Sequence, residues 1–295
     1  MNYSEKYGYT PDRDAIGRAI EMIAANMENI ATEQVYKDCF SMMDLTTLKT
    51  DDTPASVTKL VEKVNAFHNT FPEWPYPASV CVYSNFASTV KEVRKGDFNI
   101  TVVSACFPSS QSFLEVKLRE VEMAVEQGAD EVDIVLSLSA FLSKDYQTAS
   151  EEIRQIRKAI DEVAARQGRH VHLKVILETG LLRTPENIAN ASFLAMEAGA
   201  DFIKTSTGKV DTNATPVAAY VMCECIAKYH AMTGRKVGFK PAGGISTAAE
   251  ALSYYSIVST VLGKEWLNKN LFRFGVSRVA NSILAAVEQK TVTYF

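Results

Sequence analysis

The sequence predicts a single α/β domain, a (β/α)8 TIM barrel with an extra N-terminal helix, and three observations carry that expectation. Short apolar runs alternate with longer helical patterns eight times over roughly 250 residues, the plan of a closed parallel barrel. The runs lack the strict polar alternation of a sheet with one wet face, as suits parallel strands buried on both sides. A doubly wound sheet would alternate in the same way, but it prefers a glycine-rich first turn, and residues 45–52 hold no glycine.

Taken in order, residues 12–38 read as an amphipathic helix outside the repeat, so residues 1–38 are expected to form a helical extension of the one domain spanning 1–295. The strand-like runs are Cys39–Leu45, Ser79–Tyr83, Ile100–Ala105, Glu131–Leu136, Val171–Leu177, Phe202–Lys204, Val237–Lys240 and Leu271–Phe274. Helices are expected between them, over about 54–68, 86–95, 112–127, 146–167, 185–198, 215–232, 246–261 and 277–289. Thr184 before Pro185 and Thr215 before Pro216 are good starts, since proline fits the first helical position. Gly128, Gly168 and Gly199 punctuate helix ends, where a left-handed residue is wanted. Residues 290–295 read as a flexible tail.

Composition narrows the function classes. With 47% hydrophobic and 22% charged residues this is an ordinary globular chain, and its net charge of −4 argues against nucleic-acid binding. No run approaches the roughly 18 apolar residues that span a membrane, and the N-terminus lacks the plan of a secretory signal, so a cytoplasmic location is expected. The five scattered cysteines read as reduced thiols. Cys223 and Cys225 have neither the spacing nor the partners of a zinc site; His170 and His172 share one strand face, as a metal pair would, but read in preference as strand-end polar residues.

Barrel chemistry collects at the C-terminal ends of the strands. That rule selects Asp44, Cys81, Tyr83, Asp133, Glu178, Lys204 and Lys240. A free lysine is a poor nucleophile at neutral pH, but burial and a second nearby ammonium disfavour its charged form. Lys204 and Lys240 together therefore point to an amine ready to form a Schiff base with a carbonyl, without saying which of them attacks. Period-two alternation puts Glu131 on the face of Asp133, and Lys174 on the face of Glu178, making Lys174 a third interior lysine. Buried lysines need partners, and Asp133 is the natural counter-charge and proton carrier. Glycines Gly243 and Gly244 after the seventh run, Ser277 opening the last helix, and Lys209 together suggest a phosphate site.

The segments MDLTTL, GADEVDIV, LKVILETG, GADFIKTSTGK, NATP, VGFKPAGG and FRFG, in order from about residue 40 to 288, closely resemble the deoxyribose-phosphate aldolase family. The resemblance implies a class I aldolase on a (β/α)8 barrel that needs neither metal nor cofactor. It implies reversible cleavage of 2-deoxy-D-ribose 5-phosphate to acetaldehyde and D-glyceraldehyde 3-phosphate in deoxynucleoside breakdown. Carried onto this chain, it makes Lys204 the Schiff-base lysine, Lys240 the neighbour that lowers its pKa, and Asp133 the proton-transfer partner. Asp44 matches a position near the substrate hydroxyls, and Thr207, Lys209, Gly243, Gly244 and Ser277 match the substrate and phosphate region. The resemblance also implies a homodimer, a C-terminal tyrosine (here Tyr294) reaching the active site, and an aldehyde-sensitive Cys81. Arg278 stands where the family pattern has a small residue. The rival readings are a different Schiff-base aldolase, acting on a keto acid or ketose phosphate, and a catalytically silent sugar-phosphate-binding barrel.

Overall fold

Eight short parallel strands make the wall of the barrel in the computed structural model, which describes residues 2–295. They are β1 Met43–Thr46, β2 Ser79–Tyr83, β3 Asn99–Val103, β4 Glu131–Val135, β5 His172–Ile176, β6 Phe202–Lys204, β7 Gly238–Lys240 and β8 Phe274–Val276. Neighbours in sequence are neighbours in the sheet, and β8 returns to pair with β1. Two isolated bridges, Phe239–Phe272 and Ala242–Gly275, close the remaining seam between β7 and β8.

Alternation along the strands sorts side chains by destination. Val80, Val82, Ile100, Val102, Val132, Ile134, Leu173 and Val175 join the main apolar core between sheet and helices. The intervening residues Ser79, Thr101, Glu131, Asp133 and Lys174 point into the barrel and bond to one another. Barrel interiors are usually packed with branched apolar side chains. Here that centre is ionic.

The helices between strands start where the sequence offers caps. Thr53, Thr184, Thr215 and Thr247 each accept a backbone N–H from the third helical residue, ahead of helices Pro54–Asn65, Pro185–Glu197, Pro216–Thr233 and Ala248–Val261. These junctions face the C-terminal ends of the strands and so help fix the loops of the site.

Three expectations change. The N-terminal helix is broken into Arg13–Ala25, a 3-10 turn at Met27–Ile30, and Glu33–Ser41. Thr32 caps the last piece, accepting from the Val35 N–H, so Cys39 and Phe40 are helical and β1 begins only at Met43. Phe40 stacks on Phe67 at 4.9 Å between ring centroids, a contact made from a helix rather than a strand. The last strand is also displaced: Leu271 and Phe272 bond to β7, while the pairing with β1 runs from Phe274.

The terminal segments are packed on the body. Tyr7 stacks on Phe193 at 4.5 Å. At the other end, the Tyr294 hydroxyl donates to the Lys63 carbonyl at 2.8 Å, and Phe295 exchanges hydrogen bonds with Asn281. That hydrogen bond holds the Tyr294 hydroxyl against the helix Pro54–Asn65. Among the described residues no helix is long and apolar enough to cross a membrane.

Candidate active site

The floor of the site is a network of seven buried ionisable side chains. Arg273 enters from the residue before β8 and has no exposed surface. Its guanidinium donates to Asp44 Oδ1 at 2.6 Å, and to Glu131 through Nη2 at 2.6 Å and Nη1 at 3.0 Å. Such planar two-point pairing with a carboxylate is a strength of arginine. Lys174 donates to Glu131 Oε2 and, at 3.2 Å, to Asp133 Oδ1. Lys240 lies 2.5 Å from Asp44 Oδ2 and 2.8 Å from Asp133 Oδ2. Lys204 lies 2.8 Å from that same Asp133 oxygen. Ser79 and Thr101 hydroxyls fill the gaps, Ser79 donating to Asp44 at 2.8 Å.

Local sequence makes the room. Gly275 on β8 faces Lys240, and a methyl group there would come within 3.1 Å of the lysine Cε and 2.7 Å of Ala242 Cβ.

Removing ions from water is costly unless each finds a partner. Lys174, Lys204, Lys240 and Arg273 bring four potential positive charges, whereas Asp44, Glu131 and Asp133 bring three negative ones. One cation is in surplus, and the geometry selects it. Lys240 touches two carboxylates, while Lys204 touches only one oxygen and shares that with Lys240. Burial lowers the Lys204 pKa, and repulsion from Lys240 adds to this against the pull of Asp133. For Lys240 the attraction of Asp133 and Asp44 outweighs burial and raises the pKa. Burial would lift all three carboxyls, but their cations prevail. Asp133 and Asp44 are held well below the usual range, and Glu131 falls to about 2.

Above this floor opens a cavity of about 280 Å³, at the C-terminal end of the barrel. Lys204 is the only member of the ionic network that lines it. The rim carries Lys209, Gly243, Gly244, Ser277 and Arg278. Gly243 and Gly244 have φ of +79° and +80°, a conformation open to glycine at little cost. A side chain at Gly243 would also collide with Asn213, whose Oδ1 would sit 2.5 Å from the added carbon. Ser277 and Arg278 immediately precede the helix Val279–Glu288, whose free N–H groups favour an anion.

The structure therefore brings together Lys204, Thr207, Lys209, Gly243, Gly244 and Ser277 around one space, with Lys240 and Asp133 directly beneath. Asp44 is not at the surface of that space: it is fully buried and bonded to Arg273, Lys240 and Ser79. The Lys209 ammonium donates to the Leu48 carbonyl at 2.5 Å and clips the loop after β1. Cys81 is fully buried, and burial raises its thiol pKa. His170 and His172, with rings 4.9 Å apart, lie at the opposite end of β5.

Two contributors were missed or under-read in the sequence. Arg273 interrupts an apolar run, Leu-Phe-Arg-Phe, and that interruption was the available signal. Glu178 was a strand-end candidate, but its task is to hold the next loop. It adopts a left-handed backbone (φ +56°), and its carboxylate accepts from the Thr207 hydroxyl at 2.6 Å and the Thr207 N–H at 3.1 Å.

Residues 39–258 match the model of the DeoC/LacD family of aldolases. The chain is 41% identical over 254 residues to the human deoxyribose-phosphate aldolase, covering 82% of this chain and 77% of that protein. The mouse deoxyribose-phosphate aldolase is 40% identical over 261 residues, covering 85% and 78% respectively. Among solved structures, an aldolase designated QR15 superposes with a TM-score of 0.66 at 26% identity, covering 85% of this chain and 96% of that one. The deoxyribose phosphate aldolase of Aeropyrum pernix, described as tetrameric, gives a TM-score of 0.66 at 21% identity, with 93% and 98% covered, and shares the fold. Ionic floor, lysine-lined cavity and these matches lead to one conclusion: the chain belongs to the DeoC/LacD family of aldolases, alongside the deoxyribose-phosphate aldolases, and is a carbon–carbon lyase.

Proposed function

We propose that the protein reversibly cleaves 2-deoxy-D-ribose 5-phosphate to acetaldehyde and D-glyceraldehyde 3-phosphate through a Schiff base on Lys204. The observation that carries this reading is the surplus cation of the floor. Lys204 alone of the four cations both lines the cavity and has its charged form disfavoured.

The steps follow from the positions. Neutral Lys204 adds to the aldehyde carbon C1, and loss of water gives a protonated imine. The imine accepts electrons as the C3–C4 bond breaks, while a base takes the C4 hydroxyl proton. Glyceraldehyde 3-phosphate leaves, the enamine is protonated at carbon, and hydrolysis frees the lysine. Asp133, held ionised and 2.8 Å from both Lys204 and Lys240, is the group to exchange protons through ordered water. Lys240 stays charged, repels a proton on Lys204, and prevents Asp133 from being neutralised by Lys204 alone. The glycine rim with Lys209 and Ser277 is the place for the phosphate.

Trapping tests the reading. Incubation with acetaldehyde and borohydride should leave an ethylated Lys204, located by mass spectrometry, and deoxyribose 5-phosphate should protect it. An unmodified set of lysines would sink the Schiff-base mechanism. Adduct formation with pyruvate in preference to acetaldehyde would favour a keto-acid aldolase instead. We further propose a cytoplasmic role in deoxynucleoside breakdown and a homodimer, the latter open to test by sedimentation.

A further inference from the structure

Beyond the phosphate rim the cavity continues into a second chamber of about 510 Å³, sharing Thr46, Thr47, Lys49, Ser277 and Arg278 with the first. Its far wall is the helix Pro54–Asn65, which presents Lys59 and Lys63. These two lysines are one turn apart on the same face, a spacing at which like charges oppose helix formation. Among the described residues none of Lys49, Lys59, Lys63 and Arg278 has a carboxylate within 4.0 Å, although lysines and arginines elsewhere are widely paired. The one acidic side chain lining the chamber, Asp52, accepts from the Thr47 hydroxyl at 2.8 Å and the Lys49 N–H at 2.8 Å. Lys63 is held in place, donating to the Tyr294 carbonyl at 2.9 Å. A chain with net charge −4 thus gathers four cations, against one acidic side chain, around one space next to its active site. Such focusing of one sign marks a place for the opposite one.

We propose that this chamber is a second anion subsite, so that the protein binds sugar ligands carrying two phosphoryl groups, one at the glycine rim and the other among Lys59, Lys63 and Arg278. The proposal rests on the reading that the rim takes the substrate phosphate. Cleavage should be inhibited by fructose 1,6-bisphosphate about tenfold more tightly than by fructose 6-phosphate, the size of one added charge-assisted contact. The double variant Lys59→Gln/Lys63→Gln should lose that preference while keeping the parent inhibition constant for fructose 6-phosphate and the parent kcat. Lys59→Gln alone, whose side chain makes no hydrogen bond among the described residues, should lose part of it and guards against a folding defect in the double variant. Equal inhibition by the two sugars, or a preference that survives both variants, overturns the proposal. So does a salt-dependent fall in kcat/KM with the preference intact, which would mean that the lysines only steer the substrate. Failure of fructose 6-phosphate to compete at all would instead count against the rim reading; calorimetric binding of the bisphosphate, lost in the double variant, then still reads the chamber.

Discussion

The floor and the rim of this cavity use the same residue types to opposite ends. On the floor, Lys174, Lys204, Lys240 and Arg273 are buried and compete for three carboxylates. At the rim, Lys49 and Arg278 are exposed to water, with no carboxylate within 4.0 Å among the described residues. Scarcity of partners in a dry place disfavours the charge on an amine, and scarcity in a wet place leaves a charge free to meet an anion. One region can supply a nucleophile and the other a binding field.

Removing a cation from the floor should have the largest effect. Lys240→Met takes the near cation from Asp44 Oδ2 and leaves Asp133 Oδ2 to Lys204 alone, a loss of about 3–5 kcal/mol for a broken buried pair. It also removes the repulsion that helps lower the Lys204 pKa, so the rise of kcat/KM with pH should move to higher pH and activity at neutrality should collapse. Urea unfolding and a pH–rate profile read the two effects, and retention of neutral-pH activity would speak against the charge count.

Arg273→Met should come next in stability, because Lys174 and Lys240 still serve Asp44 and Glu131. The pH dependence follows from the direction of the shifts. Asp44, Glu131 and Asp133 are more acidic folded than unfolded, so they stabilise the fold fully above their unfolded values near about 4. That stabilisation is lost as pH falls through the folded values, near 2 for Glu131. In the Arg273 variant the loss should begin at higher pH, as thermal melts from pH 6 to 3 (roughly the carboxyl range) would reveal. Coincident acid limbs for parent and variant would contradict the pairing.

At the rim the effects should be smaller and fall on binding. Gly243→Ala, placed at φ +79° and against Asn213, should cost about 1–2 kcal/mol and raise KM for the phosphosugar more than it lowers kcat. Arg278→Ala should raise KM only severalfold, and less so at high salt, since exposed charges are screened. A KM insensitive to both rim changes would place the phosphate elsewhere.

Much of the floor was legible because period-two alternation is enough to point Glu131, Asp133 and Lys174 inward together. Lys204 and Lys240 are register partners on adjacent strands, and both sit at strand ends recognisable in the sequence. Arg273 was not legible as their fourth companion, because the eighth run was read as ending at Phe274, whereas the pairing with β1 begins there. Cys39 and Phe40 failed for a related reason: a short apolar run fits a buried helix as well as a strand, and only the Thr32 cap decides. The support given by Glu178 to Thr207 depends on a left-handed backbone at a residue that is not glycine, which no local pattern announces.

In the proposed mechanism the crowded floor makes Lys204, and not Lys240, the neutral amine. The neutrality of Lys204 is tested most directly by the pH dependence of reductive trapping with acetaldehyde and cyanoborohydride, resolved by peptide mass spectrometry. Ethylation is expected at Lys204 with a midpoint below the ordinary lysine value of about 10.4, shifted upward in Lys240→Met. Ethylation of Lys240, or a Lys204 midpoint at the ordinary value and unmoved by that substitution, would contradict that mechanism.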